Sequence, residues 1–509
     1  AYLMELLRDI NPEVRNTAII TAGKLKRPEI WGLLIENLHL PAYSNTAISA
    51  LKNSGERVLY TVDAAFFKTG QYTATMIRIV QIIGMIGGKQ SEELLWKKID
   101  FPNKRVNSEL LASLGQLLFE AQEFQAARIK LIIEGLIADI AWNIKAVQDV
   151  PQKQPVDPLD MEMLKGLREE NTVNFKNLFM LLSMIYDAQD VMLVKENLDY
   201  GTTDSVTFAL EMMDVFVEDE IKPMLMPILD DLSDKDRLEA LLKFFPPEEF
   251  VSYADLLTQI VNRDYNRITR YTKSLAINKL HLVDEPEVTN ALIANLFNPD
   301  VLLLQSAANT IYKIDANAYR LHTNRLKLFS KVRLDKIILP AHFVYDGEEY
   351  HQKMLLVERV RFLKSLPFLS KIPGDLITLL VDAINERKVP IGTKLIQKGD
   401  KGDQLLFFII AGTVEVTQDG VLQRTVGPKE MIGEELVLAS EQFDFEAKTL
   451  ESTTFLMLSK DDLFDLMSLH FEILEAFMDV IDLTKRDKEL SLDDSFDLSI
   501  LDDRIDVFK

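Results

Sequence analysis

Along most of this chain hydrophobic residues recur at helical spacing. The opening, YLMELLRDINPEVRNTAIITAGKLKRPEIWGLLIENL, places Val14, Ala18, Ile19 and Ala22 on one face of a predicted helix. Asn11 is its predicted cap, with Pro12 and Glu13 in the first turn, where a missing N–H costs nothing and a carboxylate suits the helix dipole. The phrase recurs: MIRIVQIIG ends at Gly84 and VNSELLASLG ends at Gly115, 31 residues later. Gly23 stands about two such units before Gly84, with TAISALKNSG as the copy between. DVPQKQPVDPLD then interrupts the periodicity with three prolines, which marks a linker. Helical spacing resumes in NTVNFKNLFMLLSMIYDAQD, DSVTFALEMMDVFV, KDRLEALLKFF and RITRYTKSLAINKL, and NPDVLLLQSAANTIYKI returns to the repeat phrase. Only between Gly392 and Leu458 does the rhythm shorten. Lys394–Gln397, Leu405–Ile410, Thr413–Thr417, Val421–Thr425 and Thr453–Leu458 read as strands separated by Gly, Asp and Pro.

A period near 30 residues filled by two short helices predicts an α-solenoid. Asn-Pro-x-Val-Arg followed by small residues resembles the HEAT repeats, best over residues 1–135. An irregular all-helical domain is the alternative. A solenoid has no chemistry of its own and binds other proteins or spaces domains. The Met-rich stretch Met161–Met226 reads as core filling or as an adaptable partner surface.

The β-rich stretch predicts a small antiparallel barrel or jelly roll. Leu363-Lys364-Ser365-Leu366-Pro367-Phe368, Gly392, Gly399-Asp400, Gly402-Asp403, Phe408-Ile409-Ile410, Gly412 and Val414-Glu415-Val416 resemble cyclic nucleotide-binding domains, as does the closing helix KDDLFDLMSLHFEILEAFMDVI. The resemblance covers about 355–484, and the Gly402–Gly412 interval is a residue longer than the family pattern, which predicts a bulge in LLFFII. It also implies a ligand cassette in which a Gly-Glu pair opens a short helix, the Glu takes the ribose hydroxyl, and a later Arg forks onto the cyclic phosphate. Gly433 and Glu434 match the opening, with Glu435 and Leu436 following. The Arg position falls on Phe443, and no Arg occurs from Gly433 to Ser459, where Lys448, followed by Thr449, is the sole cation. Glu434, Glu435, Glu441, Asp444, Glu446 and Glu451 oppose it.

A charge-assisted hydrogen bond is worth about 1.5–3 kcal/mol, and a forked Arg makes two. A carboxylate about 4 Å from a phosphate adds roughly 1 kcal/mol of repulsion even in bulk water. Lys448 is only a point charge. The sequence therefore predicts a degenerate site with no guanidinium, its candidate ligand residues being Gly433, Glu434, Glu435, Leu436, Lys448 and Thr449, with Phe443 and Phe445 filling the vacated pocket. Cyclic nucleotide is not an expected ligand, and no cofactor is implied.

Composition adds exclusions. With 57 basic and 79 acidic residues the net charge is −22, which repels phosphate backbones and sets nucleic acid aside as a partner. There is no cysteine, so disulfides, thiolate nucleophiles and Cys-containing zinc sites are excluded, and a reducing cytoplasm fits. The six His show no H-x-x-x-H or H-E-x-x-H spacing, and no G-x-S-x-G occurs. No enzyme chemistry is expected. The longest apolar runs fall short of a membrane span, and the chain begins at Ala1 rather than Met, so a membrane segment upstream is an open expectation. Helical repeats followed by such a β-domain, together with DSVTFALEMMDVF and PMLMPILDDLSDKDRL, resemble the soluble C-terminal part of bacterial proteins related to ATP/ADP translocases.

The expected organisation is mainly α: HEAT-like repeats at 1–148, a linker at 149–159, less regular helical repeats at 160–340, a cyclic nucleotide-binding-like domain at 350–485, and an acidic tail at 486–509. The expected function is a cytoplasmic, non-enzymatic regulator or scaffold. Its solenoid surface binds a protein partner, and the resemblance implies an N-terminal transporter domain at the inner membrane. The alternative is a live cyclic-nucleotide sensor coupled to the solenoid.

Overall fold

Asn11 starts the first long helix as its residue type dictates: its side chain accepts hydrogen bonds from the N–H groups of Glu13 and Val14, and the helix runs Pro12–Leu25. In this computed structural model the described residues are 2–151, 157–246, 248–340, 352–399, 404–434 and 443–478. The chain divides into two compact units, Ala1–Leu326 and Lys327–Lys509. Helix Leu328–Ile338, which the periodicity attached to the second helical segment, belongs to the β-containing unit.

In the first unit the helices Pro12–Leu25, Pro41–Asn53, Thr73–Ile86, Lys104–Gln116 and Pro158–Ile185 touch in succession, so alternate helices of the sequence form one row. Small residues set the spacing. A Cβ on Gly23 would lie 2.7 Å from Ala50 Cα, and one on Gly84 would lie 3.0 Å from Ser113 Cβ. Gly115, the third glycine of the repeat, has open space around it. Val14 is partly exposed, because the buried face begins only at Ala18. Arg78, inside the most apolar run, is buried and donates to the Leu38 carbonyl. No described helix is long and apolar enough to cross a membrane.

The first predicted helical segment and the second as far as Leu326 share this unit, joined by ionic contacts between residues distant in sequence. Glu170 accepts from Lys104 Nζ at 2.7 Å, Thr269 N at 2.8 Å, Thr269 Oγ1 at 2.6 Å and Thr272 Oγ1 at 2.8 Å, all at buried or part-buried positions. Asp139 receives Arg263 at 2.6 Å and Arg267 at 3.2 Å, and Lys279 reaches Asp157 and Asp160. A buried carboxylate is tolerated when its lone pairs are met in this way.

The second unit carries a β-sandwich rather than a closed barrel. Its strands are β1 (Asn385–Val389), β2 (Lys394–Ile396), β3 (Leu405–Ala411), β4 (Val414–Gln418), β5 (Val421–Val426), β6 (Met431–Ile432), β7 (Glu446–Thr449) and β8 (Thr453–Ser459). They form two antiparallel four-stranded sheets, β1-β8-β3-β6 and β2-β7-β4-β5, with Phe407, Ile409, Val416, Phe443, Phe445 and Phe455 among the residues packed together in the core. The β3–β8 register shifts between Ile409 and Ala411, which is the bulge expected in LLFFII. The predicted strands all appear, whereas β1, β6 and β7 were not predicted. Helix Gly374–Ala383 ends two residues before β1 begins. NERKV buries only Glu386 and Val389, and EAKT only Ala447 and Thr449, so neither shows an apolar run. Glu386 on β1 is buried and pairs with Arg359 at 3.2 Å.

Candidate functional site

The cassette opens where β6 ends. Gly433 takes φ +95°, and a Cβ there would lie 2.7 Å from the Leu405 carbonyl oxygen, so only glycine fits this approach. Glu434 follows and is buried. Its carboxylate is ion-paired with Arg424, which projects from β5. The Arg424 side chain is 41% exposed and that of Glu434 is 6% exposed. The expectation that no guanidinium reaches this site is therefore corrected. No Arg occurs from Gly433 to Ser459, and the strand before Gly433 supplies the cation through the β5–β6 connection.

Phe443 stands where the phosphate-binding Arg was expected, and it faces inward. It is 8% exposed and meets Phe445 edge-on with ring centroids 5.4 Å apart in the sandwich core. Strand alternation then fixes the rest of β7: 445, 447 and 449 point in, and 446 and 448 point out. Lys448 is thus on the outer face, in register with Glu415 of β4 and Lys394 of β2. Thr449 is buried, but its hydroxyl accepts from Thr393 N at 2.9 Å and donates to the Pro390 carbonyl at 2.8 Å, closing a corner. Of the six sequence candidates, Gly433 and Glu434 stand together, Lys448 and Thr449 belong to the other sheet, and Glu435 and Leu436 lie outside the described residues. Glu441 does too.

Chemically, this is a buried carboxylate bound by a guanidinium of the same domain. A diol arriving at Glu434 meets an oxygen that already accepts from Arg424. Among the described residues no group of His, Asp and Glu is arranged to hold a metal ion.

Residues 386–470 match the family described as the cyclic nucleotide-binding domain. This segment is a cyclic nucleotide-binding domain. Solved structures similar to part of the chain include the N-terminal domain of a transcriptional regulator from Streptomyces coelicolor A3(2), at 22% identity over 26% of this chain and 98% of that one, with a TM-score of 0.23. The regulatory subunit of a cAMP-independent protein kinase A from Trypanosoma brucei gives 23% identity, 26% and 48% coverage, and a TM-score of 0.22. The catabolite activator protein of Thermus thermophilus gives 21% identity, 24% and 60% coverage, and a TM-score of 0.23. This chain thus spans about half of the kinase subunit and under two thirds of the activator.

Proposed function

We propose that the protein is a non-enzymatic regulatory scaffold. Its helical body is a HEAT-like solenoid that binds a protein partner. Its cyclic nucleotide-binding domain serves as a contact or regulatory module that needs neither cyclic nucleotide nor any other cofactor. The observation that carries the reading is Phe443 in the sandwich core at the place expected for the phosphate-binding Arg. Two further facts support it: Lys448 lies on the outer face, and Glu434 is bound by Arg424. The row of alternate helices with small residues at the contacts supports the solenoid half. The proposal extends to attachment to a nucleotide transporter at the cytoplasmic face of the inner membrane, a role supported by the sequence phrases alone.

Titration calorimetry with cyclic AMP and cyclic GMP tests the domain. No heat is expected up to millimolar ligand, and micromolar binding overturns the reading. The Arg424 guanidinium favours a second reading, a ligand sensor in which this side chain leaves Glu434 for an incoming anion. In that case wild type binds cyclic nucleotide and Arg424→Ala does not, so one pair of titrations separates the two.

A further inference from the structure

Three helices of the first unit enclose a hollow. Helix Pro158–Ile185 brings Arg168, Asn171, Thr172 and Phe175 to one face by their three- and four-residue spacing. Helix Glu123–Asp149, packed along it, contributes Ile144 and Val147. Helix Asp234–Leu241 packs on Glu123–Asp149 and brings Asp234 and Arg237 to the same space. Together these side chains line a cavity of about 270 Å³. That is near the lower bound of the roughly 300–1,000 Å³ of ligand pockets, so it suits a small occupant.

Ile144 and Val147 are buried and Phe175 partly so, which gives the cavity an apolar wall with one aromatic ring. Its polar groups differ in how far the fold already engages them. The Arg237 guanidinium donates to the Pro227 and Asp230 carbonyls at 3.2 and 2.9 Å and to Asp234 at 3.0 Å. Asn171 is fixed in place: it accepts from the wholly buried Asn143 at 2.8 Å and donates to the Ile140 carbonyl at 3.4 Å. Arg168 is different. It is exposed, and its guanidinium has no hydrogen bond or ion pair among the described residues. Two guanidiniums and one carboxylate leave the cavity one unbalanced positive charge, in a chain of net charge −22.

We propose that this cavity binds a small aromatic carboxylate, its two oxygens held by Arg168 and its ring against Ile144, Val147 and Phe175. A guanidinium matches the two oxygens of a carboxylate in a fork, and an aromatic ring packs well beside Phe175. Asp234 in the same hollow disfavours the second negative charge of a phosphate monoester. The site lies wholly within the helical unit and does not depend on how the β-sandwich domain is read.

The test follows binding of 3-phenylpropionate to the full chain by saturation-transfer NMR, with hydrogen exchange to locate it. Wild type is expected to bind with a Kd of about 1 mM or tighter, and to protect amides around Ile144, Arg168 and Arg237. The neutral 3-phenylpropanol should bind about tenfold more weakly, and so should the acid to Arg168→Ala. Arg168 is exposed and unpartnered, so its removal should leave the melting curve in place. Asp234→Asn withdraws the opposing carboxylate and should tighten binding severalfold, a gain that loss of folding cannot produce. The proposal is overturned if wild type does not bind the acid at millimolar concentration, if the alcohol binds as tightly, if Arg168→Ala binds like wild type, or if Asp234→Asn weakens binding. Cyclic-nucleotide calorimetry reads the other unit, so its failure and this one are told apart.

Discussion

At the scale of single residues, the decisive pair is Glu434 and Arg424. A buried carboxylate needs a partner, and the guanidinium supplies it from β5. Because the Arg424 side chain is 41% exposed, its removal should cost about 1 kcal/mol, below the roughly 3–5 kcal/mol of a wholly buried pair. Hydrogen exchange at the amides of β5 and β6 in Arg424→Ala measures this. A loss above the buried-pair range would show that the guanidinium is far better sheltered than its exposure indicates. Gly433→Ala forces a Cβ to 2.7 Å from the Leu405 carbonyl oxygen at φ +95°. About 1–3 kcal/mol of destabilisation is expected, and an unchanged melting temperature would contradict the assigned backbone.

At the scale of elements, buried polar groups decide which helices belong together. Helices Lys104–Gln116 and Pro158–Ile185 are joined through Lys104 and Glu170, whose side chains are 5% and 2% exposed. Lys104→Met should cost about 3–5 kcal/mol by stranding the carboxylate. Lys273 offers a pH signature. It is buried and hydrogen-bonded to the carbonyls of Val261 and Arg263, and burial pulls its ammonium down to about 8. The unfolded Lys titrates near 10.4, so between these values the unfolded chain binds more protons and stability rises with pH. Below pH 8 both states are protonated and the burial cost is present in full. Wild type should therefore gain stability relative to Lys273→Met as pH increases from 8 to about 10. A difference that stays flat would remove the ammonium from this role.

At the scale of the whole molecule, two compact units predict two unfolding transitions. In scanning calorimetry of the full chain, Lys104→Met should lower one transition. Phe443→Ala, which empties part of the sandwich core at a cost of about 3–5 kcal/mol, should lower the other. A single transition moved alike by both would deny the division. The boundary itself was not legible in composition, because helix Leu328–Ile338 has the same periodicity as the helices before it.

Local patterning by itself determined the mainly helical character of the chain, five of the strands and the bulge in LLFFII, because spacing and glycine report directly on how neighbouring backbone must run. Tertiary structure alone decided the ten-residue reach from Arg424 to Glu434, the outward turn of Lys448 and the ties from Lys104 and Thr269 to Glu170. Charged side chains carry no periodic signal, and their partners are chosen by which elements fold beside one another.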